Sequence, residues 1–432
     1  MKKQLKILGL CLTVLTSASL HANSCKIPID SNLQLGNEKD ILYYVDPRPE
    51  EGGENRALRI NTKTMTYTEM DVDGINPHSI DRAGNTDKFY IRTQNSYSFD
   101  VLNFVEDSIS TVSLEDHKPR AIGATNLKYN VQLLSALDMP VVDVINTKDD
   151  SIITTVGERH TFDSSDIDSN GGGAATGHAI WLTKRYFALL DRVNSEIKLY
   201  KVFKKRGKIH TVLSDSLKLP SAVHAIEKIQ SKKLKKSDKY TFYALGEGKL
   251  GKVTPFVAKL KLNRKKGKLR STIHYLSESS QAIEGVKPTT HHAGISPDTK
   301  YLIVPVYDGK IYIFNRKNMC IVRILDTHQL GAGHVEFSDS RNLAIITNHF
   351  SDKLTFIDMK TLTVKKYLTI SKHKFDPNNK HLLQPHFSNV SENGKYFHTF
   401  ATQDGDFLKI DLDKLEIVDT LHTGGAPEQS HS

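Results

Sequence analysis

The sequence predicts an all-β fold, a β-propeller of about eight four-stranded antiparallel blades. Across the 432 residues, runs rich in Val, Ile, Tyr, Phe and Thr alternate with short turns of Asp, Asn, Gly and Lys. Stretches with helical periodicity are scarce. The same succession of four strand-like runs returns about every 40 to 45 residues, which is the length of one propeller blade.

The chain begins with a predicted signal peptide over residues 1–22. Lysines near Met1 give a positive start, an apolar run follows from Ile7 to Leu15, and Ala22 ends a plausible cleavage site. We therefore expect a periplasmic protein whose residues 23–432 form a single propeller domain. Residues 23–432 contain no apolar run of roughly eighteen residues, so no membrane span is predicted.

The clearest repeat starts at His292 and predicts strands at Tyr301–Val306, Lys310–Phe314 and Cys320–Leu325. The same pattern returns twice more, and four less regular repeats precede it. These six repeats start at His334 and His386, and at His78, Pro119, His178 and His224.

One further blade is predicted to combine both ends of the chain. Ile41–Val45, Ala57–Ile60 and Tyr67–Met70 resemble the three outer strands of a blade, and residues 424–432 resemble the start of a repeat that stops early. A C-terminal inner strand would then close the ring. Counting this composite blade gives eight, and omitting it leaves seven as the alternative.

Histidine recurs at the start of the predicted inner strands. Because inner strands line the central channel of a propeller, we expect these imidazoles to converge and bind a zinc or copper ion. The alternative is that each histidine hydrogen-bonds a neighbouring turn without metal. The repeat that starts at Pro119 has Arg120 where histidine is expected. The predicted metal ligands are His78, His178, His224, His291, His292, His334 and His386.

Carboxylates near these histidines could orient the imidazoles, as partners of metal ligands commonly do. The candidates are Asp81, Glu336 and Asp298, the last of which is better interpreted as a turn residue in Ser-Pro-Asp. A loop over residues 161–173 could cover the channel, or could be a simple connector. Its candidate carboxylates are Asp163, Asp166 and Asp168.

Other histidines are weaker candidates. His349 and His398 occupy comparable positions on the second strands of adjacent repeats and could form a separate site. The rest, among them His117, fall in turns, outer strands or the tail, and we expect most at the surface. Cys25 and Cys320 form either one disulfide or two free thiols in an oxidising compartment.

The segment from Gly294 to Asn315, with Ile-Ser-Pro-Asp followed by Ile-Tyr-Ile-Phe, resembles the Tyr-Val-Thr-Asn class of bacterial surface and periplasmic propellers. Its histidine-bearing strands are similar to those of zinc metallochaperones that serve zinc ABC transporters. A more distant likeness is to the propeller domain of nitrous oxide reductase, in which histidines hold copper. The resemblance implies a monomeric metal carrier whose partner is a transporter binding protein or an apo-metalloenzyme.

Other classes of function find little support. The net charge of +10 could suggest nucleic acid, but export excludes that partner. The excess positive charge lies in Lys232–Lys236 and Arg264–Lys268. We interpret these segments as solvated hairpin tips; the alternative is a surface that docks to an acidic membrane or an acidic protein. We find no catalytic signature, so the chain is not predicted to be an enzyme. The glycine-rich stretch Gly246–Gly251 precedes a strand rather than a helix, so it is interpreted as a turn.

The sequence thus favours a periplasmic zinc or copper chaperone. One alternative is a copper-dependent redox enzyme related to the nitrous oxide reductase propeller. The other is a metal-free scaffold for protein interactions.

Overall fold

Eight four-stranded antiparallel sheets form the blades of a β-propeller, which confirms the predicted fold and makes the seven-bladed alternative wrong. The computed structural model describes residues 40–47, 55–74, 76–93, 96–163, 167, 169–229, 238–378, 381–427 and 429–431. The predicted signal peptide, Cys25 and the lysines at 232–236 lie outside these residues. Each blade is numbered here by its order around the ring, and its innermost strand is given first.

Blade 1 combines the two ends of the chain, and blades 2 to 4 follow it in sequence. Blade 1 contains β32 (Gln429–His431), β1 (Ile41–Asp46), β2 (Arg56–Asn61) and β3 (Thr66–Asp71), and blade 2 contains β4 (Pro77–Arg82), β5 (Lys88–Thr93), β6 (Ser98–Asn103) and β7 (Ser108–Ser113). Blade 3 contains β8 (Pro119–Ile122), β9 (Val131–Ala136), β10 (Val141–Asn146) and β11 (Ile152–Gly157), and blade 4 contains β12 (Ile180–Thr183), β13 (Tyr186–Asp191), β14 (Glu196–Lys205) and β15 (Lys208–Lys218).

Blades 5 to 8 continue the ring and include two short 3-10 helices among the described residues, Asp339–Arg341 and Thr402–Asp404. Blade 5 contains β16 (Val223–Lys228), β17 (Thr241–Gly246), β18 (Phe256–Asn263) and β19 (Lys268–Tyr275), and blade 6 contains β20 (Gly294–Ile295), β21 (Tyr301–Pro305), β22 (Lys310–Asn315) and β23 (Cys320–Asp326). Blade 7 contains β24 (Ala332–Ser338), β25 (Leu343–Asn348), β26 (Lys353–Asp358) and β27 (Thr363–Thr369), and blade 8 contains β28 (Asn389–Val390), β29 (Tyr396–Ala401), β30 (Asp406–Asp411) and β31 (Glu416–His422).

The hydrophobic core lies between blades rather than inside them. The first and eighth blades share a cluster in which Tyr44 packs edge-on against Phe400 and Phe407, with ring centroids 4.7 and 5.9 Å apart. Similar clusters join the other neighbouring blades around the ring. Burying one such aromatic ring contributes about 1.5–3 kcal/mol, so each blade depends on its neighbours.

The ring closes in blade 1, as the sequence predicts. Strand β32 pairs antiparallel with β1, placing Tyr44 opposite Ser430. The fully buried Asp46 accepts a hydrogen bond from the Ala426 amide at 2.9 Å and pairs with Arg56 at 3.0 Å. Arg56 also donates to the Thr423 carbonyl at 2.7 Å. These bonds hold the C-terminal segment against the first strand.

None of the helices in the described residues combines the length and apolar character needed to cross a membrane. The residues Arg264–Lys268 span the tip between β18 and β19, as the hairpin interpretation predicts. The Gly246–Gly251 stretch likewise connects two antiparallel strands, β17 and β18.

Candidate metal centre

Three inner strands, β4, β8 and β16, have an irregularity near their start, and it redirects side chains there. The pairing of β4 with β5 skips a residue at His78, and the pairing of β8 with β9 skips one at Arg120. The pairing of β16 with β17 shifts at His224 in the same way. Because a bulge redirects the side chain of the extra residue, these positions point out of the regular pleat. Arg120 is therefore the structural counterpart of His78.

All seven predicted histidines lie in one continuous group. His291 lies near its middle, with its ring centroid 4.0 Å from that of His224 and 4.9 Å from that of His334. His292 stacks on His334 at 4.5 Å and approaches His178 at 5.0 Å. The remaining links run from His334 to His386 at 5.9 Å and from His386 to His78 at 5.1 Å.

An eighth histidine joins this group. The ring of His349 lies 4.6 Å from that of His386, 5.3 Å from that of His334 and 5.4 Å from that of His291. We call the eight residues the histidine cluster: His78, His178, His224, His291, His292, His334, His349 and His386.

Two sets of three imidazoles are arranged closely enough to hold one ion. The ligand nitrogens of His178, His224 and His292 lie within 4.8 Å of one another, and so do those of His291, His292 and His334. Two nitrogens bound to one tetrahedral zinc at 2.0–2.1 Å lie about 3.4 Å apart. Small side-chain rotations would therefore bring either set to ligand distance, with His292 common to both.

Several imidazole nitrogens in the cluster are buried and make no hydrogen bond. Buried polar atoms are normally paired, so a group of such atoms needs an explanation. A cation between the rings would use their lone pairs. The atoms are His224 Nε2, His291 Nδ1, His292 Nε2, His334 Nε2 and His386 Nδ1.

Burial keeps most of these rings neutral. It is the main cause that lowers the pKa of His178, His291 and His334 well below 6.5, and neighbouring imidazoles and arginines add to it. His386 is affected in the same way. Burial also lowers the pKa of His224 to about 3, against the opposing effect of Glu247. Neutral imidazole is the form that binds metal, so no proton must leave first.

Two glutamates that the sequence analysis did not single out orient members of the cluster. Glu247 Oε1 lies 3.1 Å from His224 Nδ1, and Glu227 Oε1 lies 3.1 Å from His292 Nδ1. Burial alone would raise the pKa of Glu247, but the guanidinium of Arg192 at 2.7 Å and the His224 ring outweigh it and lower that pKa. A carboxylate on one ring nitrogen leaves the other nitrogen free for a metal.

A second set of channel positions follows the second strand of each blade. His349 comes directly after β25, as Arg192 follows β13, Glu247 follows β17 and Tyr307 lies two residues beyond β21. In each case the backbone N–H of this residue donates to a backbone carbonyl of the same blade. That carbonyl lies two or three residues before the histidine at the start of the inner strand. The sequence signal was available, because each of these residues lies six positions after the start of its second strand.

This geometry corrects the prediction of a separate site from His349 and His398. The two side chains are not at comparable positions, because His349 follows β25 whereas His398 lies within β29. His398 is buried inside blade 8 and stacks on Phe407 at 5.9 Å. The expectation that His117 lies at the surface is also wrong, because it is buried between Asp116 and Asp143.

The three predicted carboxylates have different positions. Asp81 lines a cavity beside the cluster, and Glu336 lines a second cavity. Asp298 accepts hydrogen bonds from the Ser296 hydroxyl at 2.6 Å and the Lys300 amide at 2.9 Å, which supports its interpretation as a turn residue. In the loop 161–173, Asp166 and Asp168 lie outside the described residues. Cys320 is exposed.

The histidine cluster lies between two cavities. The arginine-lined cavity has a volume of about 460 Å³, and its walls include Arg92, Arg120, Arg192, His178 and the loop residues 171–173. The glutamate-lined cavity has a volume of about 370 Å³, and its walls include Glu227, Glu336, His292 and His334. Members of the cluster thus face space on both sides.

Solved structures share this fold at low sequence identity. The dihydro-heme d1 dehydrogenase NirN in complex with DHE matches with a TM-score of 0.65 and 12% identity, over 92% of this chain and 75% of that chain. AztD from Citrobacter koseri matches with a TM-score of 0.57 and 10% identity, over 90% and 96%. A putative 6-phosphogluconolactonase from Bacteroides fragilis matches with a TM-score of 0.51 and 11% identity, over 91% and 98%.

No protein-family model matches the chain, and the comparison with curated proteins finds no match. At these identities the solved structures establish the architecture alone. The chain is therefore similar to these propellers in fold, and the predicted resemblance is confirmed at the level of the fold.

Proposed function

We propose that this protein is a periplasmic metal carrier that binds a zinc or copper ion in the histidine cluster. The observation that carries the proposal is the set of five buried imidazole nitrogens without hydrogen bonds, contributed by blades 5 to 8. Nitrogen ligands suit both zinc and copper. The ion is the cargo of the protein, and its carriage needs no chemical step beyond ligand exchange.

Two candidate ligand sets follow from the distances between the imidazole nitrogens. One consists of His178, His224 and His292, and the other of His291, His292 and His334. Three protein ligands leave one position of a tetrahedral zinc open, and an open position allows an acceptor to attack the bound ion. Such a site suits a carrier better than a closed four-ligand site would.

The partner and the compartment are inferred from the start of the chain and from the fold. The predicted signal peptide favours export, and the fold resembles that of AztD. We infer that the acceptor is a metal transporter's binding protein or an apo-metalloenzyme, and that the carrier acts as a monomer.

A redox enzyme with a cofactor in the channel is the second candidate. It is favoured by the fold match to the dihydro-heme d1 dehydrogenase NirN. That match has the highest TM-score of the three structures described. Turnover with an electron donor would distinguish it from a carrier. A metal-free scaffold predicts that the purified protein holds no stoichiometric transition metal.

The test is metal analysis of protein purified from its native compartment, followed by zinc and copper titration of the metal-free form. We expect about one ion per chain and a loss of affinity of at least about 100-fold in His292→Ala, because both ligand sets share that residue. His210→Ala is the matched control, since His210 is exposed on β15. Equal affinities in wild type, His292→Ala and the control would contradict the proposal.

A further inference from the structure

The arginine-lined cavity has a chemistry that metal carriage does not use. Three guanidinium groups, those of Arg92, Arg120 and Arg192, reach it, each from a different strand or turn of blades 2, 3 and 4. Arg92 and Arg192 are almost completely buried. Asp81 is the carboxylate among its described wall residues, and Arg192 is also paired with Glu247. The three guanidinium groups thus outnumber these two carboxylates.

Arg120 is the member least compensated by protein groups. Its Nη1 donates a hydrogen bond to the neutral Thr176 carbonyl at 2.8 Å, and its Nε is buried without a hydrogen bond. Burial, with the charge of Arg192, lowers the pKa of Arg120 to about 9. A partly buried guanidinium whose described hydrogen bond goes to a neutral carbonyl rather than to a carboxylate is costly, so an anion entering the cavity would be favoured.

The shape of the guanidinium defines the ligand class. Its N–H groups form a planar fork that fits two oxygens of a carboxylate or phosphate. The same cavity is lined by His78, His178 and His386, whose ring N–H groups can donate further hydrogen bonds. A volume of about 460 Å³ falls within the range of small-molecule pockets and exceeds the size of a single phosphate ion.

We propose that this cavity binds a small organic oxyanion, a molecule with carboxylate or phosphate groups, and that Arg120 is its principal contact. The site does not depend on the proposed metal function, because the arginines and the cavity are present without an ion. Arg120 occupies the position that a histidine takes in the neighbouring blade, so the same bulge presents a cation to the channel instead of a metal ligand.

The experiment is isothermal titration calorimetry of the metal-free protein with citrate, glucose 6-phosphate and inorganic phosphate at constant ionic strength. We expect saturable binding of citrate or glucose 6-phosphate. Arg120→Gln should weaken it about 10- to 150-fold, which corresponds to one charge-assisted hydrogen bond of 1.5–3 kcal/mol. Arg323→Gln is the matched control, since Arg323 is exposed on the outer strand β23, and it should bind as wild type does.

The comparison of ligands separates carboxylate from phosphate recognition. Absence of saturable binding for all three anions would overturn the proposal, and so would an Arg120→Gln variant that binds as tightly as wild type. If Arg120→Gln does not fold, Arg120→Lys keeps the charge but removes the fork, and unchanged affinity in that variant would also overturn it. The titration contains no metal, so its outcome does not depend on whether the histidine cluster binds an ion.

Discussion

The arginine-lined and glutamate-lined cavities adjoin the same histidine cluster but differ in charge. On one side Arg92, Arg120 and Arg192 outnumber the carboxylates, and on the other Glu227 and Glu336 face Lys228. Burial, together with the charge of Glu227, raises the pKa of Glu336 to about 8. The fold itself is nearly symmetric, so this polarity arises from side chains placed at equivalent positions of different blades.

The difference shows how one repeated backbone can produce opposite environments. An added cation is favoured on the glutamate side, where carboxylates lie close together, and disfavoured on the arginine side. An added anion is favoured on the arginine side and disfavoured on the glutamate side. Burial lowers the pKa of His291 and His334, which lie between the two regions, well below 6.5, so these two rings separate the charged regions without adding charge of their own.

The largest expected effect comes from removing the carboxylate that compensates the arginine side. Glu247→Gln leaves Arg192 buried without its anion, and breaking a buried pair in this way costs about 3–5 kcal/mol of unfolding free energy. Urea denaturation measures the loss. The control is Asp413→Asn, which breaks the exposed pair with Arg341 and should cost no more than about 1 kcal/mol. A smaller effect for Glu247→Gln than for this control would show that the pair is not structurally important.

Two buried histidines outside the channel, His117 and His398, show the same contrast between an environment with carboxylates and one without them. Burial alone would lower the pKa of His117, but Asp143 and Asp116 outweigh it and raise that pKa. His398 has no such carboxylates, and burial lowers its pKa to about 4. The stability from His117 is complete below pH 6.5 and is lost as the pH rises through its folded pKa. The stability from His398 is present above pH 6.5 and is lost as the pH falls to about 4.

The His398 effect can be measured with His398→Phe, because the ring stacks on Phe407 and its nitrogens make no hydrogen bonds. Between pH 6.5 and pH 4, the unfolding free energy of wild type should fall by up to about 3 kcal/mol relative to that of the variant, which lacks the titrating ring. Denaturant titrations at a series of pH values give this difference. Parallel curves for the two proteins would mean that His398 does not titrate differently on unfolding.

On the glutamate side, Glu227→Gln should weaken metal binding more than it weakens the fold. The carboxylate accepts from His292 and from the Ala293 amide at 3.3 Å, so its loss leaves a ligand ring poorly oriented. A loss of metal affinity of roughly 10- to 100-fold is expected, measured by competition with a zinc chelator. Glu106→Gln, in the exposed turn between β6 and β7, should match wild type. Equal affinities for the two variants would remove Glu227 from the site.

The smallest effect is expected from Asp298, at the rim of the glutamate side. Asp298→Ala removes two local hydrogen bonds and should cost about 1 kcal/mol, with metal affinity unchanged. Blade 8 contains the same turn, in which Asn393 bonds Ser391 and the Lys395 amide, so Asn393→Ala is the matched control. A selective loss of metal affinity in Asp298→Ala would make it a member of the site after all.

The fold could be predicted because each repeat carries its own signal. Strand-like runs and turns identified the blades, and the open start of the last repeat after Gly424 identified the closing strand β32. The inner-strand histidines could be grouped for the same reason, since a propeller places the starts of its inner strands around one channel.

The second set of channel residues was missed because it follows strands that are buried on both faces. Glu247 lies within a glycine-rich stretch that was correctly interpreted as a turn, and a turn assignment does not reveal which way a side chain points. Its partner Arg192 is far away in sequence, and only packing brings the two together. His349 was noticed but aligned with the wrong residue, because it lies six positions after the start of β25 whereas His398 lies two positions after the start of β29.

Closure of the ring by β32 and β1 has a consequence for how the protein folds. The bond from the Ala426 amide to Asp46 spans 380 residues, so the first blade is completed only after nearly the whole chain has been synthesised. Pairings between such distant segments carry a large loop-closure entropy and form slowly. Newly made chains should therefore pass through an open arc whose first and last blades expose apolar faces, and this intermediate is the form most vulnerable to aggregation or proteolysis.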